Sequence, residues 1–509
     1  MTADLVARLA ALTPEQRALI RERIPQVPGE QHGLTSSQLT SGQLRLWETR
    51  RWVADRPVDV VCQVVRLTGV SVDLDLLAER VLGFVQAHEA LRTTFESDGD
   101  GTGDETSEAG DGTGATGDGT GDGTVAGVRP VVHPQLPPRL VRTRCVGADE
   151  AHALARELAA EPFDLANGPL LRVGLAEGAA AGGAPAGGAA DEAWLLVVVH
   201  NLVFDAWSFE LLLDELARPA DTGPAAAPAF SGFAHEQRRW LESTAGREAA
   251  VYWKSEVADA PPPLPTDRPR GSGTGRMGAR VDFTLSREVA DGIAAAAKRE
   301  ATTAYTGWLA VAWAALAEYG GRDDVLLGTF TAGRDRPGTT DVVGYLLNVL
   351  PVRLRDAGDG SHAARTRAAR TATRAGLAHA SYPGELISER RRVPGTHPLL
   401  DAVFVFDNLG EGGREIQGAR AVTDDLDKGT ARYDLTLAVY PGPDGAQGWL
   451  EYDTELYDEP TVRRIAERFT ALAGEAAQPG VPGEPGVPGQ AAEAGKAAEA
   501  GKAAEGGHG

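Results

Sequence analysis

Trp194-Leu195-Leu196-Val197-Val198-Val199 runs directly into His200-Asn201-Leu202-Val203-Phe204-Asp205-Ala206-Trp207-Ser208. A short block of strand-forming apolar residues, closed abruptly by polar ones, is the pattern of a buried strand that delivers side chains to a site. Beyond it, Leu211, Leu212 and Leu216 fall in helical phase, so Ser208 to Leu216 is expected as a helix. The site is therefore expected at a strand end, on a polar elbow before a helix. Trp207 and Ser208 are expected to pack and cap that helix.

Working outward, strand-like and helix-like segments alternate. Upstream lie a helix near Ser41 to Trp52, a strand near Val58 to Leu67 and an amphipathic helix from Asp73 to His88. A strand over Arg139 to Cys145, a helix over Asp149 to Ala160 and a strand over Leu170 to Leu175 precede the opening stretch. Downstream, Pro219 to Pro228 breaks the chain, and a helix is expected from Phe233 to Ala249. Pro261-Pro262-Pro263-Leu264-Pro265-Thr266-Asp267-Arg268-Pro269 forms a stiff connector. The second half repeats the mixture: strand Arg280–Leu285, helices Ser286–Ala301 and Tyr305–Tyr319, and strand Asp324–Thr331. Apolar segments follow at Val343–Arg353, Leu400–Phe406, Tyr433–Val439 and Gly448–Tyr452, and Thr461–Ala473 is the last amphipathic helix. Two α/β (α+β) lobes meeting at a cleft is the natural architecture.

The expected organisation is a helical leader over 1–30, an N-terminal lobe over 33–218, a connector over 219–275, a C-terminal lobe over 276–475 and a mobile tail over 478–509. The leader either docks on a partner or packs on the main body. Two insertions, about 98–127 and 178–190, consist of Gly, Ala and small polar residues that form no core, and are expected to be disordered. The first contains Asp-Gly-Thr-Gly-Asp-Gly text, but without the apolar positions of a calcium-binding nonapeptide repeat.

Composition excludes several classes. The 509 residues carry a net charge of -22, which repels phosphate backbones, so no nucleic-acid partner is expected. No apolar run is long enough for a membrane span and no secretory signal is visible, so a cytoplasmic protein is expected. Cys62 and Cys145 are the only cysteines, too few for a disulfide framework or a thiolate metal site. A Gly-x-Ser-x-Gly elbow, a Walker loop and a His-Glu-x-x-His helix are all missing.

His200 to Ala206 resembles the His-His-x-x-x-Asp-Gly signature of condensation domains of nonribosomal peptide synthetases. Other segments follow that family in order. Thr40-Ser41-Gly42-Gln43-Leu44-Arg45-Leu46-Trp47 resembles its opening motif, and His88-Glu89-Ala90-Leu91-Arg92-Thr93-Thr94-Phe95 its second. Tyr252-Trp253, Leu264 to Pro269, Gly328-Thr329, Gly333-Arg334, Val343 to Asn348, Tyr382-Pro383, Val403 to Asn408 and Arg432 to Leu435 complete the series.

The resemblance implies two lobes, each like chloramphenicol acetyltransferase, forming a V around a central tunnel. It implies an acyltransferase of nonribosomal peptide or hybrid biosynthesis, expected to be free-standing and monomeric, that joins a carrier-bound acyl or aminoacyl thioester to an amine. The acceptor is a small molecule or is itself carrier-bound. No cofactor of its own is implied; the phosphopantetheine arm belongs to carrier proteins supplied in trans. Asn201 stands where the family keeps its catalytic histidine and Ala206 where it keeps glycine. His200 takes the first, usually structural, histidine position, and Asp205 a scaffold position expected to pair with Arg334. Ala206, Ser208 and Asn408 are expected along the tunnel. An amide side chain has no useful pKa and takes no proton, although it still hydrogen-bonds. Two readings stay open: an amide-forming enzyme with His200, Asn201 and Asp205 at its centre, or a module that has lost catalysis and recruits a carrier protein or tailoring enzyme.

Overall fold

The structure, a computed structural model, describes residues 39–50, 56–97, 128–178, 192–219, 222, 227–271, 276–387, 399–406 and 414–478. The leader, both small-residue insertions apart from Gly178, and the tail beyond residue 478 lie outside the described residues.

In chain order the strands are β1 (Val60–Thr68), β2 (Thr93–Ser97), β3 (Val128–Val132), β4 (Arg139–Cys145), β5 (Leu171–Gly178), β6 (Glu192–His200), β7 (Gly278–Ser286), β8 (Val325–Thr331), β9 (Asn348–Leu354), β10 (Ala402–Phe406), β11 (Glu415–Ile416), β12 (Ala419–Asp425), β13 (Leu435–Gly442) and β14 (Gly445–Asp453). The helices are α1 (Ser41–Thr49), α2 (Leu74–Ala87), α3 (Ala148–Ala160), α4 (Ala206–Ala217), α5 (Phe230–Leu241), α6 (Thr244–Glu256), α7 (Arg287–Arg299), α8 (Ala304–Gly320), α9 (His362–Leu377) and α10 (Glu459–Ala477).

Two six-stranded sheets carry the fold. The first has the order β11-β12-β1-β6-β5-β4 and the second β7-β14-β13-β10-β8-β9, with β2 and β3 as a separate pair. Both sheets are mixed: β4 runs parallel to β5, and β10 runs parallel to both β13 and β8. Sheet and helix layers in each half give the two-lobe α/β arrangement expected from the alternation of segments.

Strand β6 shows why the opening stretch is so apolar. It sits between β1 and β5, covered on both faces. Leu195, Val197 and Val199 enter one core with α2 and α4, while Trp194, Leu196 and Val198 enter another beneath α3. Each such side chain contributes about 1.5–3 kcal/mol on burial, so the register is fixed and His200 is delivered to one place. Helix α8 has the corresponding position in the second half. Its Trp308, Leu309, Val311, Ala312 and Trp313 are buried on every side, and the helix is apolar around its whole circumference.

Two features depart from the sequence reading. The helix expected from Phe233 to Ala249 is two helices, α5 and α6, broken where Ser243 caps α6 by accepting from the Gly246 N–H. The apolar block from Val343 becomes strand only at Asn348. Gly344 to Leu347 instead form a loop in which the Gly344 amide donates to Ser208 and the Leu346 and Leu347 amides to Asp205. No sequence signal announced a third feature: β12, from the second half, pairs along the edge of β1 in the first sheet and carries β11 on its outer side.

Candidate active site

Strand β6 ends at His200, opposite Val60 of β1, and the chain turns tightly through Asn201–Val203 before α4 begins. The turn is held from outside. Thr40 and Gln43 form a reciprocal cap on α1, and the buried Gln43 Nε2 donates to the Leu202 carbonyl at 2.7 Å. The elbow is thereby tied to α1 as well as to the sheet.

His200 is largely enclosed. Its Nδ1 accepts the Leu202 N–H at 3.1 Å, so the neutral ring carries its proton on Nε2. Burial pushes the imidazole down to about 4; the nearby Asp59 carboxylate opposes this shift and Arg432 adds to it. Asp59 and Arg432 are themselves paired at 3.4 Å. At neutral pH His200 is an uncharged ring with its only free nitrogen protonated.

Asn201 has the opposite character. Its Oδ1 is buried and has no hydrogen-bond partner among the described residues. A buried amide oxygen without a donor costs about 1–3 kcal/mol, and the chemistry it lacks is an N–H or O–H.

Asp205 caps α4 and is fully occupied. Oδ1 accepts the Ser208 N–H at 2.8 Å, the Ser208 hydroxyl at 2.7 Å and Arg334 Nη2 at 3.0 Å. Oδ2 accepts Arg334 Nη1 at 2.8 Å and the N–H groups of Leu346 and Leu347 at 3.0 and 3.1 Å. Arg334 also donates to the carbonyls of Ala332 and Val342, and Trp207 Nε1 donates to the Thr340 carbonyl at 2.8 Å. The elbow is thus clamped to the 332–347 loop of the other half. Two glycines let that loop pass. Gly333 lies at φ +65°, and a Cβ there would fall 1.8 Å from the Leu346 carbonyl oxygen; Gly344 lies at φ +151°, and a Cβ would meet Phe230 at 2.1 Å.

The structure thus brings His200, Asn201, Asp205, Ser208 and Arg334 together. Ser208 is wholly buried, and its hydroxyl also accepts the Gly344 N–H at 3.0 Å, so it faces the clamp rather than open space. Ala206, the first residue of α4, is exposed. Asn408 lies outside the described residues.

Sequence reasoning passed over Asp59, Tyr345, Glu385 and Arg432. Tyr345 and Arg432 stood inside the matching segments, yet nothing in spacing joins residues 59, 345, 385 and 432. Here they form one charged cluster, with Arg432 Nη2 within 3.5 Å of the Tyr345 hydroxyl. Burial raises the Glu385 carboxyl and pushes the Tyr433 phenol up to about 12. Among the described residues no group of three or more His, Cys, Asp or Glu is placed to hold a metal ion, and no helix is long and apolar enough to cross a membrane.

Residues 139–480 match the Condensation domain family. This chain is a member of that family. The condensation domain is 30% identical over 508 residues to phosphinothricin tripeptide synthetase PhsC of Streptomyces viridochromogenes, a match covering 94% of this chain and 43% of the synthetase. The chain thus spans less than half the length of that relative. Its fold is similar to the condensation domain from the monacolin K polyketide synthase MokA, with a TM-score of 0.71, 19% identity, and coverage of 87% of this chain and 98% of that one. It is also similar to the X-domain from teicoplanin biosynthesis, with a TM-score of 0.70, 21% identity, and coverage of 88% and 96%.

Proposed function

We propose that this condensation domain forms amide bonds in peptide biosynthesis, joining a carrier-bound acyl or aminoacyl thioester to an amine held by Asn201. The observation that supports this reading is the buried, unpartnered Asn201 Oδ1 beside an intact Asp205–Arg334 clamp. An attacking amine supplies the N–H that this oxygen lacks.

The energetics favour positioning over proton abstraction. General-base help is worth about 10²–10⁴ in rate, whereas holding two reactants in attack geometry reaches effective molarities of about 10⁵–10⁸ M. An α-amine has a pKa of about 7.7–8.0, so a useful fraction is neutral near pH 7 without any base. Its nitrogen attacks the thioester carbonyl carbon, the C–N bond forms and the C–S bond breaks. The proton lost from nitrogen ends on the departing sulfur, giving a free thiol. A neutral alcohol is a much weaker nucleophile than a neutral amine and depends on a base to take its proton, so amide is favoured over ester. His200 stays structural, because its acceptor nitrogen is taken by Leu202.

The second reading, a recruiting module without catalysis, draws on the same lack of a free proton acceptor in the motif. Reconstitution with an acyl-loaded carrier and an amine, followed by intact-protein mass spectrometry, separates the two. Product that disappears in Asn201→Ala supports the enzyme; no product alongside tight carrier binding supports the recruiting module.

A further inference from the structure

Gln43 makes one hydrogen bond more than its helix needs. As the third residue of α1 it closes a reciprocal cap: its N–H donates to Thr40 Oγ1 at 3.2 Å, and its Oε1 accepts the Thr40 N–H at 3.1 Å. Glu and Gln both serve that position in a capping box. The additional bond runs from Nε2 to the Leu202 carbonyl, 159 residues away in sequence, at 2.7 Å. An ionised glutamate has no donor for it, whereas the Gln amide sets an acceptor toward Thr40 and a donor toward Leu202. The side chain is buried, so both ends of the amide need these partners.

That bond closes the turn that carries Asn201. Leu202 is held through both of its backbone groups, its N–H donating to His200 Nδ1 at 3.1 Å and its carbonyl accepting from Gln43. His200 is fixed in turn, its N–H donating to the Leu170 carbonyl at 3.0 Å. Asn201 stands between these two residues. Its own side chain makes no hydrogen bond to any described residue, so its direction follows the backbone on either side. Helix α1 is a firm anchor for this purpose. Leu46 and Trp47 share one core with Leu202, Val203 and Phe204, and the Ser41 N–H donates to Gln237 Oε1 of α5 at 3.0 Å.

We propose that Gln43 is a positioning residue for amide formation: by fixing the Leu202 carbonyl it aims the Asn201 oxygen at the attacking amine. The inference rests on the amide-forming reading above and adds what holds the amine-binding group in place. Gln43 itself touches no reacting atom. A reacting group displaced by about 1 Å can cost about 10²-fold in rate, and a turn released at its carbonyl is free to shift.

The test uses the full chain with an acyl-loaded carrier and an amine, read by mass spectrometry. Gln43→Met keeps the length of the side chain and removes its amide. It is expected to lower kcat about 10–100-fold and to leave KM for the loaded carrier within about twofold. Thr40→Ala removes the hydroxyl half of the cap and spares the Leu202 bond; it is expected to lower the urea midpoint and to cost less than about threefold in kcat. Gln43→Asn, which withdraws the amide by one methylene, is the second variant should the first not fold. A spectrum adds a reading that needs no turnover. The chain holds four asparagines, Asn167, Asn201, Asn348 and Asn408, so selective ¹⁵N-asparagine labelling resolves their side-chain amides, and Asn201→Ala identifies that of Asn201. Gln43→Met is expected to move it. A kcat within about twofold of the parent, or an equal loss in Thr40→Ala, overturns the inference and leaves the enzyme standing. A parent chain that forms no amide overturns the enzyme, and the spectrum then decides for Gln43: a moved Asn201 signal supports its hold on the turn, and an unmoved one overturns that as well.

Discussion

Replacing Arg334 by Met tests the clamp that unites the two halves of the site. Arg334 and Asp205 are 2% and 1% exposed, so the substitution strands a buried carboxylate. It removes five hydrogen bonds: three to Asp205 and Ser208, and two to the carbonyls of Ala332 and Val342. Breaking a buried pair from one side costs about 3–5 kcal/mol. Four donors remain on Asp205, from Ser208, Leu346 and Leu347, and they pull the loss toward about 3 kcal/mol. Against a total stability of about 5–15 kcal/mol this is a large fraction. Urea titration followed by tryptophan fluorescence reads the change as a lower midpoint at unchanged slope. Adding Asp205→Asn removes the stranded charge, so the double variant recovers about 1–2 kcal/mol relative to the sum of the singles. A loss below about 1 kcal/mol for Arg334→Met, or strict additivity, refutes the idea that this pair holds the halves together.

Asn201→His supplies a base where the turn offers none; if proton removal limits the rate, amide formation in single-turnover mass spectrometry rises about 10²–10⁴-fold, and an unchanged rate shows that positioning already suffices. His200 is held neutral in the folded chain at about 4, against 6.5 for the free side chain, so unfolding takes up its proton between those values. The contribution is present above pH 6.5 and is lost as pH falls toward 4, at up to about 1.4 kcal/mol per pH unit; His200→Gln should flatten that acid limb in urea midpoints measured across pH, and an identical limb sinks the assignment. Gly344→Ala pushes a methyl into Phe230 at a positive φ and should cost more than about 2 kcal/mol; a melting temperature within a degree of the parent chain would contradict the packing described.

The readable part of the fold was the part with strong local period. Strand β6 announced itself because both its faces are buried, and α10 because Val462, Ile465, Ala466 and Phe469 keep helical phase. The α5–α6 break hid because Ser243 sits in a window whose apolar phase barely changes. At the site, residues close in sequence were legible: His200, Asn201 and Asp205 share one turn, and Arg334 was paired with Asp205 on resemblance. Glu385, Asp59 and Arg432 were not, since each comes from a different element and only their approach in space makes them a cluster. Asn348, whose amide is fully hydrogen-bonded, and Asn201, whose Oδ1 has no partner among the described residues, look alike in sequence as single polar residues. Their difference lies in what surrounds them.

The seating of β12 beside β1 also has a consequence for synthesis. Gln63 pairs with Asp425 and Thr68 with Arg420, so the edge of β1 stays open until almost the whole chain has emerged. At about 5–20 residues per second that wait is roughly 20–70 s. An unpaired edge over that interval is a template for pairing with other chains. A fragment cut before residue 414 keeps the motif strand but leaves β1 as a permanent edge. Attempts to isolate the first half alone will therefore meet aggregation before they meet chemistry.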